Sequence, residues 1–174
     1  MNIFCLDSDP KIAAQYNCDQ HCNKIVLECA QMMANCFPLD VLKTAPPNSA
    51  GESRKHSYFN HPVSKWMRQT LGNLLWSIDH AFALEAERLY RSYKPHFSIK
   101  FIEWVANNFD KSIVPDGAQT EFAVAISPTM KCRTQPNFDV LNSVEKYRLY
   151  YIYDKPFATW KKRSKPNWFL STQA

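Results

Sequence analysis

The fold is decided by residues 64–93, which read SKWMRQTLGNLLWSIDHAFALEAERLYRSY. The large apolar side chains recur at intervals of three and four residues, the spacing that places them on one face of an α-helix. No proline interrupts the stretch. We therefore predict one long central helix over residues 64–93, against which the rest of the chain packs.

A second helix is predicted over residues 18–36, CDQHCNKIVLECAQMMANC. Its apolar positions again follow helical spacing and should form one buried stripe. The stripe consists of Cys18, Cys22, Ile25, Cys29, Met32, Met33 and Cys36. The pair Phe37-Pro38 is expected to end the helix, because proline lacks the backbone donor that a helix needs.

Shorter helices flank these two. Ser8-Asp9-Pro10 combines a capping side chain with a proline, a typical helix start. The predicted shorter helices are residues 10–17, a helix from Ser98 to about Asn108, and a helix from Asp139 to Tyr153. Residues 44–60 and 110–136 carry turn signals and are predicted to be irregular. The 44–60 loop is a candidate lid or substrate-contact segment.

The composition favours a single domain over all 174 residues. Hydrophobic residues make up 45% of the chain, enough to build a core and to exclude global disorder. With 3 glycines against 11 prolines, β-sandwiches, barrels and glycine-rich phosphate loops are disfavoured. We predict a mainly α, compact helical domain around one long central helix, with irregular loops and a basic aromatic C-terminal segment, residues 155–174.

The formal charge of +5 weakly favours a polyanionic partner. The N-terminus turns polar at Asp7, and no long apolar run follows, so neither a signal peptide nor a membrane segment is predicted. The expected location is the cytoplasm, or the host cytoplasm if the protein is viral. The six cysteines are expected to be reduced thiols, and no obligatory protein partner is predicted.

A polar face follows the buried stripe of the second helix. Helical spacing places His21, Lys24, Glu28 and Gln31 on neighbouring positions of this face. The face is either a solvated surface with a Lys24–Glu28 ion pair, or a catalytic surface. In the second case Glu28 would perform acid–base or electrostatic work, while His21 would orient the substrate.

Further hydrogen-bond donors stand near the start of the long helix, whose N-terminus favours anions. They are His61, Lys65, Arg68 and Asn73. This set either binds a phosphate, or the cations are solvated and His61 caps or packs locally. Arg91 and Lys94 leave a similar choice between phosphate binding and a salt-bridge cluster with Glu87.

The C-terminal segment alternates cations with aromatic residues. Lys161 and Arg163 would contact phosphates, while Trp160 and Trp168 would stack on bases. Alternatively, the two tryptophans belong to the core and the cations point outward.

No metal site and no cofactor are predicted. Cys18, Cys22, Cys29 and Cys36 are spread along one helix, whereas structural zinc sites join cysteine pairs across a turn. The cysteines therefore fit the buried stripe better than a zinc site.

Three segments resemble the phage-type pyrimidine-dimer DNA glycosylases, which have abasic-site lyase activity. They are the opening Met1-Asn2-Ile3-Phe4-Cys5-Leu6, the run Asp19-Gln20-His21 followed seven residues later by Glu28, and the closing Lys165-Pro166-Asn167-Trp168-Phe169. The resemblance covers only part of the chain. It implies a compact and mostly helical protein.

The resemblance also implies a chemistry. The α-amine of the processed N-terminus, on Asn2 or on a retained Met1, would attack the sugar C1′, while Glu28 would assist base loss and the imine steps. An α-amine titrates near pH 8 and is a usable nucleophile at neutral pH. The substrate would be a damaged base turned out of DNA. The residues that would position it are His21, Lys24, Arg68, Asn73, Arg91, Lys161 and Arg163.

Two other functions remain open. Leu27 and Gln31 stand where the resembling family has arginines, and Asn2 replaces a small threonine. These departures favour a non-catalytic binder of a nucleotide or oligonucleotide, such as a viral protein that sequesters a host signalling nucleotide. A third possibility is an inhibitor that binds a protein through its aromatic surface.

Overall fold

Eight α-helices and two 3₁₀-helices form the described part of the computed structural model, residues 1–110 and 112–170. The α-helices are α1 (Pro10–Tyr16), α2 (Asp19–Ala34), α3 (Leu39–Leu42), α4 (Pro62–Met67), α5 (Leu71–Tyr90), α6 (Ile99–Asn108), α7 (Ser143–Asp154) and α8 (Asn167–Leu170). The 3₁₀-helices are Lys131–Thr134 and Phe138–Val140. Within this part of the chain no strand is present and about 51% is helical, which confirms the mainly α fold.

Helix α5 is the centre of the fold, as the apolar spacing predicts. It packs against α1, α2, α4 and α6, and α2 in turn packs against α4 and α6. Every position of the predicted stripe from Cys18 to Cys36 is buried. Because the buried stripe fixes the rotation of α2 about its axis, the polar face of α2 has a fixed orientation relative to the core.

The prediction of one unbroken helix over residues 64–93 is wrong at Arg68, where α4 ends before α5 begins. The hydroxyl of Thr70 caps α5 by accepting from the Asn73 amide at 3.3 Å. The loop that follows α6 crosses this N-terminus so closely that a Cβ at Gly72 would lie 2.3 Å from the Gln119 nitrogen. The break between α4 and α5 is therefore caused by a segment that is distant in the chain. The break keeps both helices packed against the core.

The C-terminal end of α5 lies at Tyr90, three residues before the predicted end. Ser92 takes a left-handed conformation with φ of +66°. The Ser92 amide donates to the Leu89 carbonyl, and the Tyr93 amide donates to the Arg88 carbonyl, each at 2.9 Å. This is a Schellman motif with serine where glycine is usual.

The last long helix, α7, begins later than predicted. Asn142 caps it, with its side chain accepting from the Glu145 amide at 2.9 Å and the Glu145 carboxylate accepting from the Asn142 amide at 3.0 Å. Asp139, the predicted cap, lies in the preceding 3₁₀-helix instead. The helix begins after Asn142 and not at Asp139 because the capping box satisfies two backbone donors at once.

Residues 2–6 run as a buried segment that is neither helix nor strand. The Arg148 guanidinium donates to the Leu6 carbonyl at 2.9 Å, and a ring nitrogen of His80 lies 3.2 Å from the Ile3 carbonyl. Side chains from α5 and α7 thus fix the path of the N-terminus. Its first two residues consequently have a defined position against α2.

The cysteines belong to the core. All six are buried and unpaired. Burial raises the pKa of Cys22 and of Cys36 to about 12, so these thiols stay neutral and pack as small apolar groups. In the described residues, no helix is both long and apolar enough to cross a membrane.

Candidate active site

A cleft of about 370 Å³ opens between the N-terminal segment, α2 and the residues that follow α7. Its walls consist of Met1, Asn2, Phe4, His21, Lys24, Ile25, Glu28, Ala125, Ser127, Tyr150, Lys155 and Phe157. Five of the predicted site residues meet here, including all three predicted catalytic ones. The volume falls in the range of small-molecule sites.

The carboxylate of Glu28 lies against the backbone nitrogen of residue 2. Glu28 is 6% exposed, and its Oε2 accepts from the Asn2 nitrogen at 2.5 Å. The Lys24 ammonium lies 3.3 Å from the other oxygen, Oε1. The ion pair predicted from the spacing is therefore present, and it joins an exposed lysine to a buried carboxylate.

The side chain of Asn2 fixes this contact. Its amide nitrogen donates to the Ala125 carbonyl at 2.9 Å, and its oxygen accepts from the Phe4 amide at 3.0 Å. Ala125 is held in turn by the buried hydroxyl of Tyr147, which accepts from the Ala125 amide at 3.0 Å. The nitrogen of residue 2 thus cannot turn away from Glu28 without breaking several hydrogen bonds.

Phe4 shows backbone strain in the wall of the cleft. Its φ is +45°, in the left-handed region that an aromatic residue rarely adopts. Its ring stacks on His21, with centroids 4.3 Å apart and planes 7° from parallel. Strained residues that the surrounding structure holds in place are concentrated at functional sites.

A chain of hydrogen bonds sets the tautomer of His21. The Asn17 amide nitrogen donates to the Ala13 carbonyl at 2.9 Å, so the Asn17 oxygen accepts from the Tyr151 hydroxyl, also at 2.9 Å. The Tyr151 oxygen then accepts from His21 Nδ1. In the neutral ring this leaves Nε2 as the acceptor.

His21 stays neutral at physiological pH. Burial, followed by the charges of Lys155 and Lys24, lowers the pKa of His21 to about 3. A ring with this pKa is a weak base at pH 7. His21 is therefore suited to accept a hydrogen bond from a ligand and not to carry a proton.

The Asp19-Gln20 pair anchors the C-terminal segment over the cleft. The Gln20 amide donates to the Phe157 carbonyl at 3.0 Å, and Asp19 accepts from the Lys161 amide at 2.9 Å. Phe157 remains 46% exposed at the rim. The run Asp19-Gln20-His21 therefore places an aromatic ring and a histidine at the same opening.

The cleft is completed by Lys155, Phe157 and Tyr150. The sequence does not predict that these residues lie near Glu28. The Lys155 ammonium lies 4.0 Å from the centroid of Tyr150 and 6.0 Å from that of Phe157. The alternation of cations with aromatic residues was the signal for a binding segment. Its contact with the N-terminus depends on the fold and has no local pattern.

His61 lies at the start of α4, outside the set of residues that line the cleft. It caps that helix by accepting from the Val63 amide at 3.3 Å, one of the two predicted alternatives. Burial lowers the pKa of His61, the positive amino group of Met1 lowers it further, and Glu28 raises it. The charged groups of Met1 and Glu28 therefore contribute to the pKa of His61.

Lys65 and Arg68 lie on a second groove, of about 680 Å³. The Arg68 guanidinium donates to the Phe59 carbonyl at 2.6 Å and stacks 3.7 Å from the centroid of that ring. Lys65 is exposed. Asn73 is fully buried, and its amide donates to the Trp66 carbonyl at 2.7 Å. Asn73 therefore holds the junction of α4 with α5.

Arg91 forms the predicted salt bridge with Glu87 at the end of α5, and Arg163, which was predicted to contact phosphates, joins it. Arg91 donates to Glu87 at 2.9 Å and to Asp19 at 3.0 Å, and Arg163 donates to Glu87 at 2.8 Å. Burial alone would raise the pKa of Glu87, but the bonds from both arginines lower it. Lys94 is an exposed cation just beyond the helix.

Lys161 is exposed, while the neighbouring Trp160 is buried and donates to the Tyr16 carbonyl at 3.1 Å. For Trp160 the core alternative is thus the correct one. Arg91 and Arg163 use their guanidinium groups within the protein, so we leave them and Asn73 out of the candidate site.

Across residues 1–110 and 112–170, no group of three or more His, Cys, Asp and Glu side chains is arranged to hold a metal ion. Comparisons of the chain with protein-family models, with curated proteins and with solved structures give no match. The functional argument therefore rests on the geometry of the cleft around Glu28 and Asn2.

Proposed function

We propose that this protein is an enzyme of the DNA glycosylase and abasic-site lyase type, which forms an imine between its N-terminal amine and the sugar of a nucleotide. The observation that carries the proposal is the 2.5 Å contact of the residue 2 nitrogen with Glu28 Oε2 inside a cleft. The resemblance of three segments to pyrimidine-dimer glycosylases supports it.

The nucleophile requires processing of the N-terminus. A peptide nitrogen is not nucleophilic, and hydrolysis of the Met1–Asn2 bond converts the same atom into a primary amine. An ordinary α-amine has a pKa of about 8, so a usable fraction is unprotonated at neutral pH. The adjacent Glu28 carboxylate accepts the proton that the amine loses as it attacks.

At an abasic site, the amine adds to the aldehyde carbon C1′. Proton transfer through Glu28 releases water and forms the C=N bond. A proton then leaves C2′, and the bond between C3′ and its phosphate oxygen breaks, with the electron pair departing on the phosphate. At an intact damaged nucleotide the amine displaces the base from C1′, and the base takes the electron pair and a proton.

The other cleft residues would hold the nucleotide. Lys24 and Lys155 supply positive charge for phosphate groups, and the half-exposed ring of Phe157 offers a stacking face for a base. His21 supplies a hydrogen-bond acceptor. These groups match the components of a nucleotide, and the cleft needs no metal for the chemistry described.

Borohydride trapping tests the proposal, because borohydride reduces an imine to a stable amine. Wild-type protein should become covalently attached to DNA that contains an abasic site, and peptide mapping should place the adduct on the N-terminal residue. Acetylation of that residue should abolish the adduct. Glu28→Gln should slow trapping by about 100-fold or more, the usual loss for an acid–base group. Glu103→Gln, an exposed glutamate on α6, is the matched control.

A wild-type protein that gives no adduct would exclude the lyase, and so would an adduct that survives acetylation of the N-terminus. Intact mass determines which residue carries the amine.

A non-catalytic nucleotide binder is the second candidate. With Met1 in place, the Asn2 nitrogen is a peptide donor to Glu28 and cannot attack a sugar. This function predicts that the purified protein retains Met1, binds a nucleotide stoichiometrically in calorimetry, and yields no trapped adduct.

A further inference from the structure

A pair of exposed aromatic residues forms the tip of the loop between α3 and α4. Tyr58 is 66% exposed and Phe59 is 41% exposed. Tyr58 has a φ of +52°, in the left-handed region that bulky residues avoid. A large apolar ring at such a position is unfavourable both for solvation and for the backbone, so its presence calls for a function.

The tip is rigidly held. The Asn35 amide donates to the Ser57 carbonyl at 2.8 Å, and its oxygen accepts from the Ser57 nitrogen at 3.1 Å. On the other side, Arg68 binds the carbonyl of Phe59 and stacks on its ring. The His61 amide closes the turn on the Tyr58 carbonyl at 2.9 Å. The aromatic pair is therefore preorganised.

The tip lies beside the candidate active site. Asn35 follows Glu28 by seven residues on α2, which is two turns or about 10 Å along the same face of the helix. Gln31 lies on the turn between them and Leu27 directly precedes Glu28, and both line a groove of about 330 Å³ that continues to Ser57. A surface path thus leads from the cleft to the loop.

Exposed cations flank this path. Lys24 lies at the cleft, Lys55 precedes the tip, and Lys65 follows it on α4. Three lysines around a protruding aromatic pair match a duplex, whose phosphates lie outside and whose bases stack inside.

We propose that Tyr58 and Phe59 are a wedge that enters the base stack of duplex DNA next to the nucleotide held in the cleft. The inference rests on the proposed function, because the cleft receives the nucleotide that leaves the stack. An enzyme that acts on a base must open the stack, and an inserted apolar side chain stabilises the opened duplex. The substrate is accordingly double-stranded DNA, with the wedge filling the space left in the stack.

Tyr58→Gly is the test variant, since glycine adopts the left-handed conformation freely and the turn is kept while the ring is lost. Tyr153→Ala removes a partly exposed aromatic residue from α7 and serves as the control. The probe is a duplex with 2-aminopurine beside a tetrahydrofuran abasic analogue, which has no aldehyde and cannot form an imine. Wild type and Tyr153→Ala should increase the 2-aminopurine fluorescence, and Tyr58→Gly should lose most of the increase.

Trapping on two substrates separates the wedge from the chemistry. On duplex abasic DNA, Tyr58→Gly should trap about tenfold more slowly than wild type, in line with the loss of one stacking contact. On single-stranded abasic DNA, where no stack is opened, the two proteins should be equal. Equal losses on both substrates, or no loss on either, would overturn the wedge.

If wild type forms no adduct on any substrate, the lyase proposal fails. The 2-aminopurine fluorescence still tests whether Tyr58 and Phe59 act as a wedge. A wild-type increase that Tyr58→Gly removes supports the wedge, and the absence of any wild-type increase rejects it. Circular dichroism of both variants checks that they are folded.

Discussion

The Nδ1 atom of His21 donates a hydrogen bond to the hydroxyl of Tyr151, although 130 residues separate the two in the chain. The bond joins α2 to α7 beside the candidate active site, whose wall includes His21. Because the Tyr151 hydroxyl in turn donates to Asn17, its oxygen can only accept from the ring. The tautomer that His21 presents to the cleft is thus determined by a residue on another helix.

Tyr151→Phe should remove the preference of His21 for the Nδ1–H tautomer. The loss of two buried hydrogen bonds should lower the free energy of unfolding by about 1–3 kcal/mol. Nitrogen NMR of the imidazole should show a shift from the Nδ1–H form toward the Nε2–H form. Tyr150→Phe, next to the cleft but without a bond to His21, should leave the tautomer unchanged. An unchanged tautomer in Tyr151→Phe would refute the assignment.

Acid should destabilise the protein through its buried neutral histidines. Burial lowers the pKa of His80 to about 4, against the opposing effect of the Pro10 and Ile3 carbonyls, and the pKa of His21 lies near 3. Unfolded histidine titrates near 6.5, so below that pH the unfolded chain takes up protons that the folded chain refuses. The stability present above pH 6.5 is therefore lost as the pH falls toward 4.

Urea unfolding at pH 7, 6 and 5 measures this loss. Each neutral histidine contributes up to about 1.4 kcal/mol per pH unit in this window. His21→Gln should have a smaller pH dependence than wild type, while its stability at pH 7 is lower. Identical pH dependence in the two proteins would show that His21 titrates normally in the folded state.

Gly72→Ala should be strongly destabilising. The added Cβ would lie 2.3 Å from the Gln119 nitrogen and 2.6 Å from the Ala118 carbonyl carbon, both backbone atoms that cannot rotate away. Overpacking of this kind costs about 1–3 kcal/mol in the free energy of unfolding. Gly51→Ala meets no atom within 4 Å and should cost less, through its φ of +80° alone. Chemical denaturation compares the two variants, and an equal loss would contradict the close approach.

Local patterns predicted the elements of this fold better than their junctions. The stripe of α2 was readable because helical spacing and burial coincide over its whole length. The break between Arg68 and Thr70 cannot be predicted from local sequence, because it depends on the loop near Gln119. The cap of α7 at Asn142 has a local signal, the Glu145 three residues later, and the prediction of Asp139 as the cap is wrong.

The candidate site divides in the same way. Glu28, Lys24 and His21 are related by helical spacing, so their proximity was predictable from the sequence. Lys155 and Phe157 reach the cleft through bonds such as that of Gln20 to the Phe157 carbonyl. Contacts between segments so distant in the chain leave no periodic pattern.

The predicted cations can be separated by the salt dependence of DNA binding. A lysine that neutralises a phosphate contributes about 0.9 to the slope of log K against log salt concentration. Lys24 and Lys155 line the cleft, whereas Lys94 lies just beyond the salt-bridge cluster at the end of α5. Lys24→Gln and Lys155→Gln should therefore each lower the slope by about one, uniformly across sequences.

Lys94→Gln has the same change of charge and serves as the matched control, with an expected slope equal to that of wild type. Because net charge changes identically in all three variants, a general electrostatic effect would lower the three slopes together. A loss confined to Lys94→Gln would instead move the DNA interface to the end of α5, and the cleft around Glu28 would then have to act on a ligand other than DNA.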